Sequence, residues 1–125
     1  MNSTNWLQKQ EHFEWMQKCL NCWKATEEFI SKSIQDGENL KLINTCRDVA
    51  EMCSQCIKFE AQRSPFFQQL CQVCADMCET CVRKLAECDP KSEICDYTIE
   101  ACTTLAIASR EVSQKRKMDP VNTPT

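Results

Sequence analysis

Glycine and proline are scarce in this chain: 125 residues contain one Gly and four Pro. That is too few for the many tight turns of a sandwich or barrel. No run of Val, Ile and Tyr alternates with period two, so strands are not expected. A basic field is also missing, since the net charge is −3, and no nucleic-acid partner is expected. The short run Gln114–Lys117 reads as a solvated helix end complementing the macrodipole. No apolar stretch is long enough to span a membrane, and Met1–Gln8 run into Lys9 and Glu11 without the basic and apolar regions of a secretory signal. The expected compartment is the reducing cytoplasm. Catalytic apparatus is lacking too: there is a single histidine and no Gly-rich phosphate loop, so an enzyme is not expected.

What is abundant is cysteine, with twelve residues. In a secreted chain this density would suggest a disulfide scaffold; in a reducing compartment the thiols stay free, and metal or redox chemistry is the alternative.

The remaining punctuation divides the chain into four helices, about 4–36, 39–62, 65–87 and 90–114, within one unit over 1–116. Gly37 is placed as a C′ residue after Asp36. Ser64-Pro65 and Asp89-Pro90 each read as an N-cap followed by proline at the first helical position. Residues 117–125, with two prolines and no apolar cluster, read as a disordered tail. Long helices joined by short turns pack as antiparallel neighbours. The expected fold is all-α: an antiparallel up-down-up-down four-helix bundle with a cysteine-lined core.

That lining follows from spacing. Helix three carries Cys71, Cys74, Cys78, Cys81 and Cys88, with Leu85 filling the gap; the steps alternate three and four, as in the a/d seam of a heptad. Helix two gives Cys46, Val49, Cys53 and Cys56; helix one gives His12, Trp15, Cys19, Cys22, Thr26 and Phe29; helix four gives Cys95, Thr98, Cys102, Leu105 and Ser109. All twelve cysteines fall on a seam. Rise per residue places Cys19, Cys22, Cys53, Cys56, Cys71 and Cys74 at similar heights near the Ser64 turn. Cys46, Cys78, Cys81 and Cys102 lie higher, and Cys88 and Cys95 close to the Asp89-Pro90 turn.

Cysteine as a small buried hydrophobe accounts for one or two such positions, but twelve give up the volume that Leu and Ile would bury. Neighbours at i,i+3 or i,i+4 have Cβ atoms about 5–6 Å apart, beyond the span of a disulfide; cross-helix bridges remain open under oxidation. The pairs Cys19/Cys22, Cys53/Cys56, Cys71/Cys74 and Cys78/Cys81 can each grip one ion from a single helix face. Soft thiolates favour Cu(I), zinc and iron–sulfur clusters. Four thiolates around Zn²⁺ leave about two negative charges, and stacked sites of that kind repel one another in a dry core. One Cu(I) per thiolate is neutral. Multiple Cu(I) ions are therefore the preferred cargo, with an iron–sulfur or zinc/redox protein using the CxxC pairs as the alternative.

The run Cys46-Arg47-Asp48-Val49-Ala50-Glu51-Met52-Cys53-Ser54-Gln55-Cys56, then Ser64-Pro65-Phe66 and Leu70-Cys71-Gln72-Val73-Cys74-Ala75-Asp76-Met77-Cys78-Glu79-Thr80-Cys81, resembles the four-helix-bundle copper storage proteins. Their pattern has the form CRDCAEIC..C and SPF..LC..CAE.C..C. The likeness is close over helices two and three and extends to helices one and four by spacing. It implies a bundle that stores many Cu(I) ions, commonly as a homotetramer, and the cytosolic branch of the family. Val49, Thr98, Leu105 and Ser109 stand where cysteine is frequent in that family, and Thr26 marks a fifth such place. A lower capacity is implied, and a member retaining only a structural role is the further alternative.

His12 lies on the seam near the lower end and is a candidate entry ligand, since imidazole binds copper; a capping role competes. Met16, Met52 and Met77 flank the seam as gap-fillers or soft transit ligands. Trp6, Phe13, Trp15 and Trp23 spread around helix one, so some are expected outside the core, at a subunit interface.

Overall fold

The structure, a computed structural model, describes residues 3–88 and 92–117, with the side-chain surroundings of residues 9–88 and 92–114. Four α-helices follow one another: α1 Ser3–Asp36, α2 Ile43–Ala61, α3 Phe67–Ala86 and α4 Glu93–Lys117. Each packs on its chain neighbour, and α4 closes back on α1. This is the expected up-down-up-down bundle. No strand occurs among the described residues, and no helix there is long and apolar enough to cross a membrane.

The turns have specific chemistry. Gly37 takes φ 66°; its N–H reaches Ile34 O at 3.3 Å, and Glu38 N reaches Ser33 O at 3.1 Å. This Schellman pair satisfies the last carbonyls of α1. Asn39 is also left-handed, at φ 55°, so the chain re-enters through a 3₁₀ turn at Leu40–Leu42, and α2 begins at Ile43 rather than near Asn39. The end of α2 repeats the Schellman pair without a glycine: Arg63, at φ 54°, donates to Glu60 O, and Ser64 N to Phe59 O, both at 3.0 Å.

Ser64 Oγ accepts the Phe66 N–H at 3.1 Å, but this bond closes a turn through Pro65 rather than capping a helix: α3 starts at Phe67, its N-cap position is Phe66, and no side chain caps it. Residues 89–91, which hold the second expected cap and its proline, lie outside the described residues. Ser92 instead caps α4, its Oγ accepting the Cys95 N–H at 3.2 Å, with Glu93 in the first turn complementing the dipole. The segment expected as a tail lies, beyond Lys117, outside the described residues.

Antiparallel register then follows from cross-helix contacts. His12 meets Glu60, Cys19 meets Cys53, Cys22 meets Cys102, Cys46 meets Cys81 and Cys95 meets Leu85. Each helix advances by three or four residues between such levels, so the seams stack as rungs about 5 Å apart. The bulkiest buried side chains lie toward the two ends: Trp15 and Phe67 below, Phe29 and Leu85 above. Burying each contributes about 1.5–3 kcal/mol, which compensates for a middle made of small thiols.

Candidate metal centre

Counting the contact of His12 with Glu60 as rung one, the cross-helix contacts and the helical rise assign Trp15, Cys56, Cys71 and Ser109 to rung two; Cys19, Cys53, Cys74 and Leu105 to rung three; Cys22, Val49, Cys78 and Cys102 to rung four; Thr26, Cys46, Cys81 and Thr98 to rung five; and Phe29, Leu42, Leu85 and Cys95 to rung six, all buried. Cys88 follows Leu85 by three residues, just past the end of α3. Eleven of the cysteines have no exposure, and Cys88 has 8%. All twelve are free thiols. The column is densest on rungs three and four, with three thiols each.

Rung four is the tightest group. The sulfurs of Cys22, Cys78 and Cys102 all lie within 4.8 Å of one another, and Cys22 Sγ is 3.6 Å from Cys102 Sγ. They come from three helices, α1, α3 and α4. An ion held about 2.3 Å from each of three sulfurs, the distance seen in zinc thiolates, needs a triangle about 4 Å on a side. The triangle is therefore within an ångström or so of the dimensions of a three-coordinate site. Val49 fills the fourth corner, so the rung has three donors rather than a tetrahedral set.

Rung five has two sulfurs, Cys46 and Cys81, 3.9 Å apart. Its two threonines turn their hydroxyls onto their own helices: Thr26 Oγ1 donates to Cys22 O and Trp23 O at 3.0 and 2.9 Å, and Thr98 Oγ1 to Ile94 O at 2.6 Å. Such back-bonding leaves the methyls facing the column. Below, Cys19 Sγ donates to Cys53 O at 3.4 Å and Cys56 Sγ to Leu70 O at 3.8 Å.

Proton affinities divide the thiols. Cys22, Cys78 and Cys81 are pushed above the ordinary thiol range, first because each donates to Cys102, and Cys53 and Cys56 likewise through their neighbours Cys19 and Cys74. Cys74 and Cys102 are pushed the other way. Cys74 receives donors from Cys53, Cys56 and Cys78, with Ser109 adding to them; Cys102 receives Cys22, Cys78 and Cys81. Hydrogen bonds to the charged form are the cause. Each half of the column thus has one sulfur best placed to carry charge first. Cys88, held mainly by burial and then by Cys95, is raised to about 11.

One expectation needs correction. Cys22 groups with Cys78 and Cys102, which the sequence placed higher, and not only with the thiols nearer the Ser64 turn, because the helical rise carries it a further turn above Trp15. His12 lies below the column, at the expected end. Its Nδ1 is 3.2 Å from Glu60 Oε1, and its ring lies 5.8 Å from that of Phe67. Glu60 gave no sign in the sequence of being its partner. Of the helix-one aromatics, Trp15 is buried and Phe13 is 62% exposed, while Trp23 packs against the edge of the core, as do Met16, Met52 and Met77. Trp6 lies outside the residues whose side chains are described.

A dry, four-helix column of free thiols, three of them converging, is a device for soft metal ions, and the family comparison agrees. The profile of the copper storage protein family matches residues 8–114. The chain belongs to the copper storage protein family. Among solved structures, the Cu(I)-bound copper storage protein BsCsp3 superposes with a TM-score of 0.76 at 25% identity, covering 82% of this chain and 98% of that one. Apo Csp3 from Bacillus subtilis gives 0.70 at 27% identity, covering 79% and 95%. The cysteine-rich protein YhjQ of Bacillus subtilis strain 168, described as uncharacterized, is 28% identical over 64 residues, which is 49% of this chain and 59% of that relative's length. The bundle is thus shared with solved copper storage proteins over most of the chain.

Proposed function

We propose that this protein stores or buffers multiple Cu(I) ions on the thiolates of Cys19, Cys22, Cys46, Cys53, Cys56, Cys71, Cys74, Cys78, Cys81, Cys88, Cys95 and Cys102, and that it is not an enzyme. The observation that carries the reading is the three-sulfur group of Cys22, Cys78 and Cys102 inside a wholly buried column. A monovalent soft cation replaces one thiol proton with no change in charge, so a filled core remains neutral where stacked divalent sites would not. The Cu(I)-bound relative supports the same choice of metal. The proposed setting is the cytoplasm, where free thiols persist, with no nucleic acid or membrane as partner. A homotetramer accords with the apolar side chains left outside the core, among them Phe13, Leu20 and Ile107.

The test is titration of reduced, metal-free protein with Cu(I) against a competing chelator. Several tightly held ions are expected, up to roughly one per thiolate. Uptake of zero or one ion rejects storage and leaves a structural module. Visible colour after anaerobic purification points instead to an iron–sulfur cluster, because Cu(I) thiolates do not absorb there.

A further inference from the structure

We propose that rung four is also a site for trivalent arsenic, taken up as arsenous acid and held by Cys22, Cys78 and Cys102. Such a site is additional to copper storage and stands independently of it. What singles out the rung is convergence from three separate helices. The three sulfurs all lie within 4.8 Å of one another, and no second group of three thiols meets so closely among the described residues. Rung three also carries three thiols, Cys19, Cys53 and Cys74, yet these form no such group.

Shape, donor count and charge agree on the ligand. Three bonds of about 2.3 Å, the length of a zinc–thiolate bond, meeting at nearly right angles hold their sulfurs about 3.3 Å apart. That is the pyramid formed by a trivalent centre with a lone pair. The Cys22–Cys102 edge, at 3.6 Å, is already close to it. The other two edges exceed it by at most about 1.5 Å, a closure shared among three side chains that each turn about one bond. Val49, 1% exposed, fills the fourth corner with methyls. A lone pair needs no donor there, whereas a tetrahedral ion would lack its fourth ligand. Charge points the same way. All three cysteines have no exposure, and net charge in so dry a place is costly. A divalent ion on three thiolates leaves one negative charge; a trivalent centre leaves none. Arsenous acid is itself uncharged at neutral pH, so it arrives without shedding an ionic hydration shell.

Binding is condensation without redox change. Three S–H and three As–O bonds break, three As–S bonds form, and each thiol proton leaves with a hydroxide as water. One As(OH)3 and three thiols thus give one arsenic trithiolate and three waters, with arsenic trivalent throughout. The product ties α1, α3 and α4 together at the middle of the column.

Titration of the full chain, reduced and metal-free, with sodium arsenite tests this, read by native mass spectrometry and ultraviolet sulfur–arsenic absorption. One tightly bound arsenic per chain is expected. X-ray absorption at the arsenic edge should show three sulfur neighbours and no oxygen, a measurement on wild type that stands even where a variant fails to fold. Cys22→Ser, Cys78→Ser and Cys102→Ser should each weaken binding at least roughly hundredfold, or about 2.8 kcal/mol. Cys74→Ser, on rung three, should bind as wild type does. No uptake, an oxygen neighbour on the bound arsenic, several arsenic atoms held with similar affinity, or equal weakening by Cys74→Ser and Cys78→Ser overturns the site. Copper storage is decided separately: a protein that takes up many Cu(I) ions but no arsenic keeps storage and loses this site.

Discussion

The indole Nε1 of Trp15 donates to Ser109 Oγ at 3.0 Å, fixing α1 against α4 at the rung where the thiol column begins. Ser109 also faces Cys74, whose thiolate it stabilises. Ser109 thus accepts a short N–H bond, which a sulfur in its place would accept poorly. Ser109→Ala should leave a buried indole N–H unpaired and lower the stability of the metal-free protein by about 1–3 kcal/mol. Urea unfolding under reducing conditions measures this. An unchanged midpoint would mean that the hydrogen bond contributes nothing net.

How much of this could be read beforehand follows from periodicity. Four helices, their order and the burial of every cysteine depend on heptad spacing and a few turn residues, and these are local. The grouping of sulfurs is not local. Cys22 meets Cys102 and Cys78 only once α1, α3 and α4 are set in register, and two Schellman turns and a 3₁₀ turn fix the height of α1 relative to α3. One of those turns, at Arg63, uses a residue that gives no turn signal. Likewise Ser92 caps α4 where the Asp89-Pro90 pair drew attention first. Glu60 could not be distinguished from its solvated neighbours until the register placed it opposite His12.

The aromatic plug should matter for stability more than for metal. Phe67→Ala removes a fully buried ring that supports both His12 and Trp15, and a loss of about 3–5 kcal/mol is expected. Tryptophan emission should shift to the red in the folded variant as water reaches the indole. Copper capacity, measured against a chelator, should stay the same in whatever fraction folds. A capacity that falls by several ions would show that the plug organises the sulfurs themselves.

The pH dependence has a definite sign. Burial raises Cys88 from the ordinary value of 9.0 to about 11, so the folded state keeps its proton where the unfolded chain has lost it. Its contribution to stability is complete below about pH 9 and is lost as pH rises through about 11. The urea midpoint of reduced metal-free protein should therefore fall over that interval. Cys88→Ser should flatten the fall in part, the remainder belonging to the other raised thiols. A midpoint that climbs through this range would contradict the assignment of Cys88 to a buried setting.

Val49 decides what rung four can hold. With Cys22, Cys78 and Cys102 on three corners and a buried valine on the fourth, the rung supplies three sulfurs, which suits Cu(I) and falls short of the tetrahedral set that zinc prefers. Val49→Cys completes four. The swap loses a little packing volume, a cost of at most about 1.5 kcal/mol, and creates a four-thiolate cage. Zinc affinity should rise by at least roughly tenfold, or about 1.4 kcal/mol, while total Cu(I) uptake grows by about one ion. Competition titrations with a zinc chelator on the reduced wild-type and variant proteins give the comparison. Equal zinc affinities would show that adjacent rungs already supply a fourth sulfur, and that selection between the two metals lies in the charge of the filled column rather than in the shape of this rung.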